Sequence, residues 1–379
     1  MRIGIDGGCW TNRRGFGRFT RELVTALARR GRHEYHVLLD PDGFGAFAVP
    51  GAHPIRVGVS APASSTATAS SRRPLFDILR MMSATRRNMF DLFWFPAVYS
   101  YFPLLQRCPM LLGIHDTMAD RHPELAFDSP AQRRLWRWKT KLALRQSDGV
   151  MTVSDFAKRS IESVWSVAPS RVYVVPEAPA AVFHPDPEAV CKPVILAVGG
   201  VSPNKNLLRL ARAFARVQAQ VPAARLVIVG DIERDGFKSS FEELKHQLDA
   251  LGVAPAVTFT GFIPDEELAR WYNRAAVLAF PSLEEGFGLP AVEAMACGLP
   301  VVASRAHALA EVVGDAGLLV NPLEEAEIAQ ALVAVLTSAD LDAQLRAQSL
   351  RRAAAFTWDR SAAIMENLFE RVTACASVS

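Results

Sequence analysis

Ala275 to Pro300 reads AAVLAFPSLEEGFGLPAVEAMACGLP. Its first six residues are an unbroken apolar run, short enough for a strand buried on both faces of a parallel sheet. The chain then turns at Gly286 and Gly288, where missing side chains let the backbone approach a ligand. Pro290 suits the first turn of a helix and Gly298 suits its end, so the spacing predicts a short helix over residues 290–297. The N–H groups at the start of such a helix have no carbonyl one turn back, and they suit a phosphate. Glu285 stands just before the turn and Glu293 within the helix. Either carboxylate would repel a diphosphate, so the pair suits hydroxyl groups on either side of one.

The same pattern repeats outward along all 379 residues. In the first half IGID (3–6), YHVLL (35–39), LFWF (92–95), MLLGI (110–114), GVMTV (149–153) and VYVV (172–175) read as strands, with amphipathic stretches 18–30, 130–146 and 155–166 between them. In the second half VILAV (194–198), RLVIV (225–229), VTFTG (257–261), VLAF (277–280), PVVA (300–303) and GLLV (317–320) do the same. Strand–helix alternation predicts parallel α/β sheets, and two sets predict two Rossmann-like domains. Half of the residues are apolar, enough for two cores. The proline-rich run 176–193 reads as the linker, and the Ser/Thr-rich run 59–71 as a surface loop.

The Glu-x7-Glu element with its GFGLP centre resembles the signature of the retaining glycosyltransferases of family 4. That resemblance implies the GT-B fold, two Rossmann-like domains facing a central cleft. The expected division is 1–185 on the acceptor side and 186–355 for the nucleotide sugar, with 356–379 a C-terminal helix packing back toward the first domain. Gly199-Gly200-Val-Ser-Pro-Asn-Lys205-Asn206 looks like the family's phosphate-binding turn, so Lys205 would neutralise a donor diphosphate. Many relatives carry an arginine near this turn where Gly200 and Asn204 stand here, which leaves a second cation missing or supplied from elsewhere. Gly15 and Gly17 look like the loop that meets the diphosphate from the other domain, although Thr20 leaves the dinucleotide glycine fingerprint incomplete. His115, at the end of MLLGI, is implied to line the donor-sugar pocket, a role that competes with that of an ordinary structural histidine. Gly230-Asp231 and Gly261-Phe262 match loops on the phosphate and nucleobase sides.

The activity implied is transfer of a sugar from a nucleoside diphosphate sugar to an acceptor hydroxyl with retained configuration, in glycan or polysaccharide synthesis. Lys205, Glu285 and His115 are the implied catalytic residues. Gly15, Gly17, Gly200, Phe287, Gly288, Leu289 and Glu293 are the implied binding residues, with Glu293 on the ribose and Glu285 on the donor sugar. The opening IDGG and RRGFGRFTREL, with SPNKN, are similar to a mannosyltransferase-like subset and point to GDP-mannose, with UDP-sugars open. No cofactor and no metal are expected. Asp40-Pro-Asp42 has the form of an Asp-x-Asp metal pair but sits in a polar turn without supporting signature. A non-catalytic nucleotide-sugar-binding protein, or another GT-B enzyme such as an epimerase, are the alternatives.

Charge and cysteines bound the partners. Net charge is +3, yet residues 1–190 hold 25 basic and 17 acidic residues, leaving 17 against 22 for the remainder, a split of +8 against −5. Much of the excess lies at Arg133, Arg134, Arg137, Lys139, Lys141 and Arg145, interleaved with Trp136 and Trp138. Such a helix suits anionic lipid or a lipid-linked acceptor, or else packs two tryptophans inward beneath a solvated face. No nucleic-acid module accompanies the charge. Met1 leads directly into a strand, without the n-region and h-region of a signal peptide, and no run of 18 apolar residues occurs. Five unpaired-looking cysteines fit reduced thiols, so a cytoplasmic chain, peripheral on the membrane's inner face at most, is expected.

Overall fold

The computed structural model describes residues 1–12, 15–60, 74–232 and 239–376. Most of the loop expected over 59–71, from residue 61 onward, lies outside them, as do Arg13 and Arg14. The chain forms two compact units, Met1–Glu177 with the segment from Trp358 onward, and Ala178–Thr357.

The first unit carries a sheet of seven strands among the described residues: β1 (Arg2–Asp6), β2 (Glu34–Leu39), β3 (Ala52–Arg56), β4 (Leu92–Phe95), β5 (Met110–Gly113), β6 (Gly149–Thr152) and β7 (Val172–Val174). Their order is β3-β2-β1-β4-β5-β6-β7 and every pairing is parallel. The second unit has six: β8 (Val194–Val198), β9 (Arg225–Val229), β10 (Val257–Gly261), β11 (Val277–Phe280), β12 (Val301–Ser304) and β13 (Leu318–Val320). They run β10-β9-β8-β11-β12-β13, again parallel throughout. Both sheets reverse strand order beside their first strand, which opens a crevice at the carboxyl ends of β1 and β4 and of β8 and β11.

The central strands β4, β5, β6, β11 and β12 are buried at every position, as continuous apolar runs covered by helices on both faces must be. The strand not foreseen is β3. Its sequence AHPIR has no apolar run and is largely exposed, and Pro54 lacks an N–H, which an edge strand tolerates. In the first unit Trp94, Phe19 and Phe369 build an aromatic core, with Trp94 6.4 Å from Phe19 and 6.0 Å from Phe369 by ring centroids. Phe369 belongs to the helix Trp358–Ala376, which packs on the helix Gly15–Arg30. There Arg30 Nε reaches the fully buried carboxylate of Glu366 at 2.9 Å. The second unit's core is aliphatic, gathered about Phe214 with Leu210, Val217, Leu226, Ile228 and Leu332.

The helix Pro130–Gln146 separates its two tryptophans. Trp136 is 4% exposed and Trp138 is 64% exposed. Trp136 donates from Nε1 to Asp120 Oδ1 at 3.1 Å, and Arg137 lies 4.0 Å from the same oxygen. Burial pushes the Asp120 carboxyl up from 3.8 to about 6, against the smaller pull of Trp136 and Arg137. Between those values the folded chain holds a proton that the unfolded chain has lost, so this group's contribution is full at acid pH and is lost as pH rises through about 6. An Asp120→Asn protein, still accepting from Trp136, should therefore be more stable than its parent by about 2 kcal/mol above neutrality, the gain vanishing below about pH 4. Urea midpoints across pH check this, and a gain that is independent of pH would contradict it.

Candidate active site

The phosphate-turn sequence and the Glu-x7-Glu sequence follow β8 and β11, which are paired neighbours through Val277 with Ile195 and Leu278 with Leu196. Both segments therefore leave the sheet side by side at its switch point. Alternate residues then join them. The N–H of Leu283 donates to Asn204 O at 2.7 Å, Lys205 Nζ to Glu285 Oε1 at 2.7 Å, and Asn206 Nδ2 to Pro281 O at 3.0 Å and Pro322 O at 2.6 Å. Ser202 Oγ donates to Asn204 Oδ1 at 2.6 Å. Asn204, which stands near the place of the cation in many relatives, serves the architecture here: its side chain braces the turn through Ser202, and its backbone carbonyl fixes the turn to the loop after β11.

Lys205 and Glu285 are the charged centre of this unit's crevice. Their side chains are 17% and 13% exposed, and the Lys205 ammonium also lies 5.1 Å from the Phe280 ring centroid. A cation so placed has weak competition from water, which strengthens its pull on any anion entering beside it. Gly200 is buried, its carbonyl accepting from Ser202 N at 2.9 Å.

The helix foreseen at 290–297 spans Leu289–Ala296. Gly288 caps it at φ +105, and a Cβ there would fall 2.4 Å from Leu309 Cδ2, so a side chain is excluded twice over. Phe287 and Leu289 turn their side chains into the core, Phe287 edge-on to Phe356 at 5.7 Å, so these residues have only their backbone to offer a ligand. Glu293 is 1% exposed, and Tyr272 donates its hydroxyl to Glu293 Oε2 at 3.0 Å. The two glutamates of the signature are thus held differently, Glu285 by a cation and Glu293 by a buried phenol. Phe262, at the end of β10, is half exposed.

In the first unit the helix begins at Gly15, so Gly15 and Gly17 lie within its first turn and the expected helix at 18–30 starts three residues early. A Cβ on Gly17 would sit 2.1 Å from Asn12 O, whereas Gly15 is exposed with open space around it. Arg21 ties the preceding loop down through Trp10 O and Asn12 O. His115 follows β5; its Nε2 lies 3.0 Å from Pro96 O and its Nδ1 3.4 Å from Glu177 Oε1, with the Phe19 ring edge-on at 4.7 Å. A carbonyl only accepts, so Nε2 carries hydrogen. The Asp40-Pro-Asp42 turn opens a short helix, Pro41–Gly45, whose first turn Asp40 caps by accepting from Gly43 N at 2.6 Å. Among the described residues no group of three or more His, Cys, Asp or Glu side chains is arranged to hold a metal ion.

A family model described as Glycosyltransferase Family 4 matches residues 13–178, and one described as Glycosyl transferases group 1 matches residues 192–338. The MMP alpha-(1->4)-mannosyltransferase of Mycolicibacterium hassiacum is 33% identical over 283 residues, 70% of this chain and 67% of that protein. The chain belongs to glycosyltransferase family 4. The O-antigen chain mannosyltransferase B of Escherichia coli is 30% identical over 222 residues, 55% of this chain, and the match spans just 57% of that relative's length. The sucrose-phosphate synthase of Thermosynechococcus elongatus superposes over 99% of this chain and 100% of its own with a TM-score of 0.79 at 22% identity. Two parallel Rossmann-like sheets and that likeness give this family member the GT-B fold.

Asn206 and Asn204 are the residues that sequence reading left without a role, although a signal was there. Asn tolerates the left-handed region better than other side chains, and Asn206 sits at φ +60 between a 3-10 turn and the helix Leu207–Gln220. Asn206→Ala removes two buried hydrogen bonds and keeps the strained backbone, for a loss of about 2–4 kcal/mol. Asn206→Gly should recover about 1 kcal/mol of that by relieving the backbone alone. Urea unfolding of the two variants tests the pair; equal stability of both would remove the backbone contribution.

Proposed function

We propose that this chain transfers a mannosyl group from GDP-mannose to an acceptor hydroxyl, retaining the anomeric configuration and without a metal. The observation that carries this reading is the paired Lys205 and Glu285 at the switch point, beside the start of the helix Leu289–Ala296. Similarity to two proteins named as mannosyltransferases supports mannose as the sugar.

The diphosphate lies against the helix start, where the backbone N–H groups of Phe287 to Leu289 and the dipole favour negative charge. Lys205 turns from Glu285 toward the phosphates and stabilises the charge that builds on the leaving group. Glu285, released from its ion pair, accepts from hydroxyls of the donor sugar, and Glu293 serves the ribose. On the first unit, the Gly15–Gly17 turn follows β1 at the matching switch point and suits the donor's phosphates, while His115 follows β5, one strand beyond β4, and suits the donor sugar. The acceptor oxygen forms its bond to the anomeric carbon as the carbon–phosphate oxygen bond breaks on the same face. The acceptor proton passes to the departing diphosphate. Orientation and electrostatic stabilisation then supply the rate, with no covalent enzyme intermediate. A lipid-linked glycan is the acceptor we favour, because the basic excess of the first half suits an anionic carrier.

The test starts with a panel of nucleoside diphosphate sugars, read by thermal stabilisation and by NMR of the transferred linkage. GDP-mannose should stabilise most and give the α-product; a preference for UDP-sugars would overturn the donor, and an inverted product the mechanism. Lys205→Ala should fold yet lose about a hundredfold or more in turnover. Near-normal turnover in a folded Lys205→Ala protein would remove this lysine from the reaction. Calorimetry separates the carboxylates: Glu293→Gln should weaken the bare nucleoside diphosphate, and Glu285→Gln chiefly the complete sugar donor. Equal losses of both ligands in both variants would contradict the assignment.

A further inference from the structure

The helix Leu75–Asn88, which leads from β3 to β4, sorts its side chains sharply. Asp77, Met81 and Thr85 are buried. Leu75 and Phe76 are each 77% exposed and Leu79 57%, and Met89 just past the helix is 65% exposed. At 100° per residue these three helical positions fall in one arc of about 140° with Arg80, Arg86 and Arg87, all exposed. The helix contains one acidic residue, Asp77, and it faces inward: its carboxylate accepts from Ser60 N and Ser60 Oγ, each at 2.9 Å. Arg80 bonds Gly58 O, which fixes the same end. The roll of the helix is thus set from inside, and apart from Ser83 its outer face is apolar and basic.

Single exposed apolar side chains are ordinary, but three within two turns form a patch that calls for an occupant. A second copy of this chain meeting the patch about a twofold axis would set Arg86 and Arg87 against their own copies. An anionic bilayer accepts both features together, hydrocarbon for the leucines and phenylalanine, and phosphate for the arginines. Arg80 is held within the fold by Asp77 at 3.7 Å and by Gly58 O, which leaves Arg86 and Arg87 as the outward cations. We propose that the helix Leu75–Asn88 docks the first unit on an anionic lipid bilayer, with Leu75, Phe76 and Leu79 entering below the headgroups and Arg86 and Arg87 on lipid phosphates.

This adds a surface to the one expected from the basic, tryptophan-bearing run at residues 133–145. In the helix Pro130–Gln146, Arg137 is occupied by Asp120 at 4.0 Å and by the Trp165 ring at 5.0 Å, and Trp136 is buried. Arg134, Trp138, Lys141 and Arg145 still face outward on that helix. Right-handed crossovers from β3 to β4 and from β5 to β6 place both helices on the same side of the sheet, so this second helix, with Leu135 and Trp138 also exposed, adds to the same face. The proposal does not depend on the donor assignment.

Cosedimentation of the full chain with phosphatidylcholine vesicles, with and without phosphatidylglycerol, tests it. Binding should require the anionic lipid and weaken as salt rises, because the attraction is screened within a Debye length. Leu75→Ser/Phe76→Ser/Leu79→Ser should cut binding at least about tenfold at every salt concentration, with unchanged circular dichroism and donor binding. Each of Arg86→Gln and Arg87→Gln should cost about fivefold, chiefly at low salt. Failure of the parent to bind anionic vesicles at low salt, or equal binding by the folded triple-serine variant, would overturn the proposal. Light scattering that shows a parent dimer turned monomeric by the triple substitution, without vesicle binding, would overturn it in favour of self-association.

Discussion

The carboxyl ends of β8 and β11 are joined residue against residue, and the second unit's candidate site depends on that join. Asn204, Lys205 and Asn206 each hold a group on the loop from Pro281 to Glu285. Two of these links use carbonyls and side-chain amides, which cost little to bury when bonded. The third is an ion pair with both members mostly shielded from water, and its net worth to folding is small because desolvation offsets attraction. Its value lies in position, since Glu285 fixes where the ammonium of Lys205 stands. In the function proposed above, a diphosphate would compete for that ammonium by bringing more negative charge than one carboxylate does.

The strand framework was legible because buried parallel strands need continuous apolar runs, and twelve such runs stand out between polar segments. What was not legible has a common cause: the deciding information lies in the partner. AHPIR pairs at a sheet edge through its backbone, so its side chains carry no apolar signal. Trp136 and Trp138 look alike in sequence, and only the presence of Asp120 beneath the helix tells the buried one from the exposed one. Lys205 and Glu285 could each be singled out from their own motif, yet nothing in either motif says that they meet. Gly15 and Gly17 resemble a loop ahead of the helix, and only the close approach of Asn12 O, which leaves no room for a side chain at Gly17, shows why glycine stands in the first turn.

Charge counted along the chain proved a coarse guide to surface. The densest basic run, at residues 133–145, spends Arg137 on neighbours within the fold. The helix at residues 75–88 carries fewer cations but turns its lone acid inward. Direction, set by what anchors a helix from beneath, governs what its outer face can meet.

The helix Trp358–Ala376 completes the first unit's core, with Phe369 against Trp94 and Glu366 receiving Arg30, while the whole second unit is encoded between the two parts. On the ribosome the order of completion is thereby inverted. The second unit has all of its strands and helices once residue 357 has emerged, but the first, though begun earliest, waits for the chain's last helix. Until then its aromatic face around Phe19 and Trp94 lacks its cover, and the exposed surface invites chaperones or aggregation. A stop codon shortly after residue 357 would therefore spare the unit just made and strand the one made first.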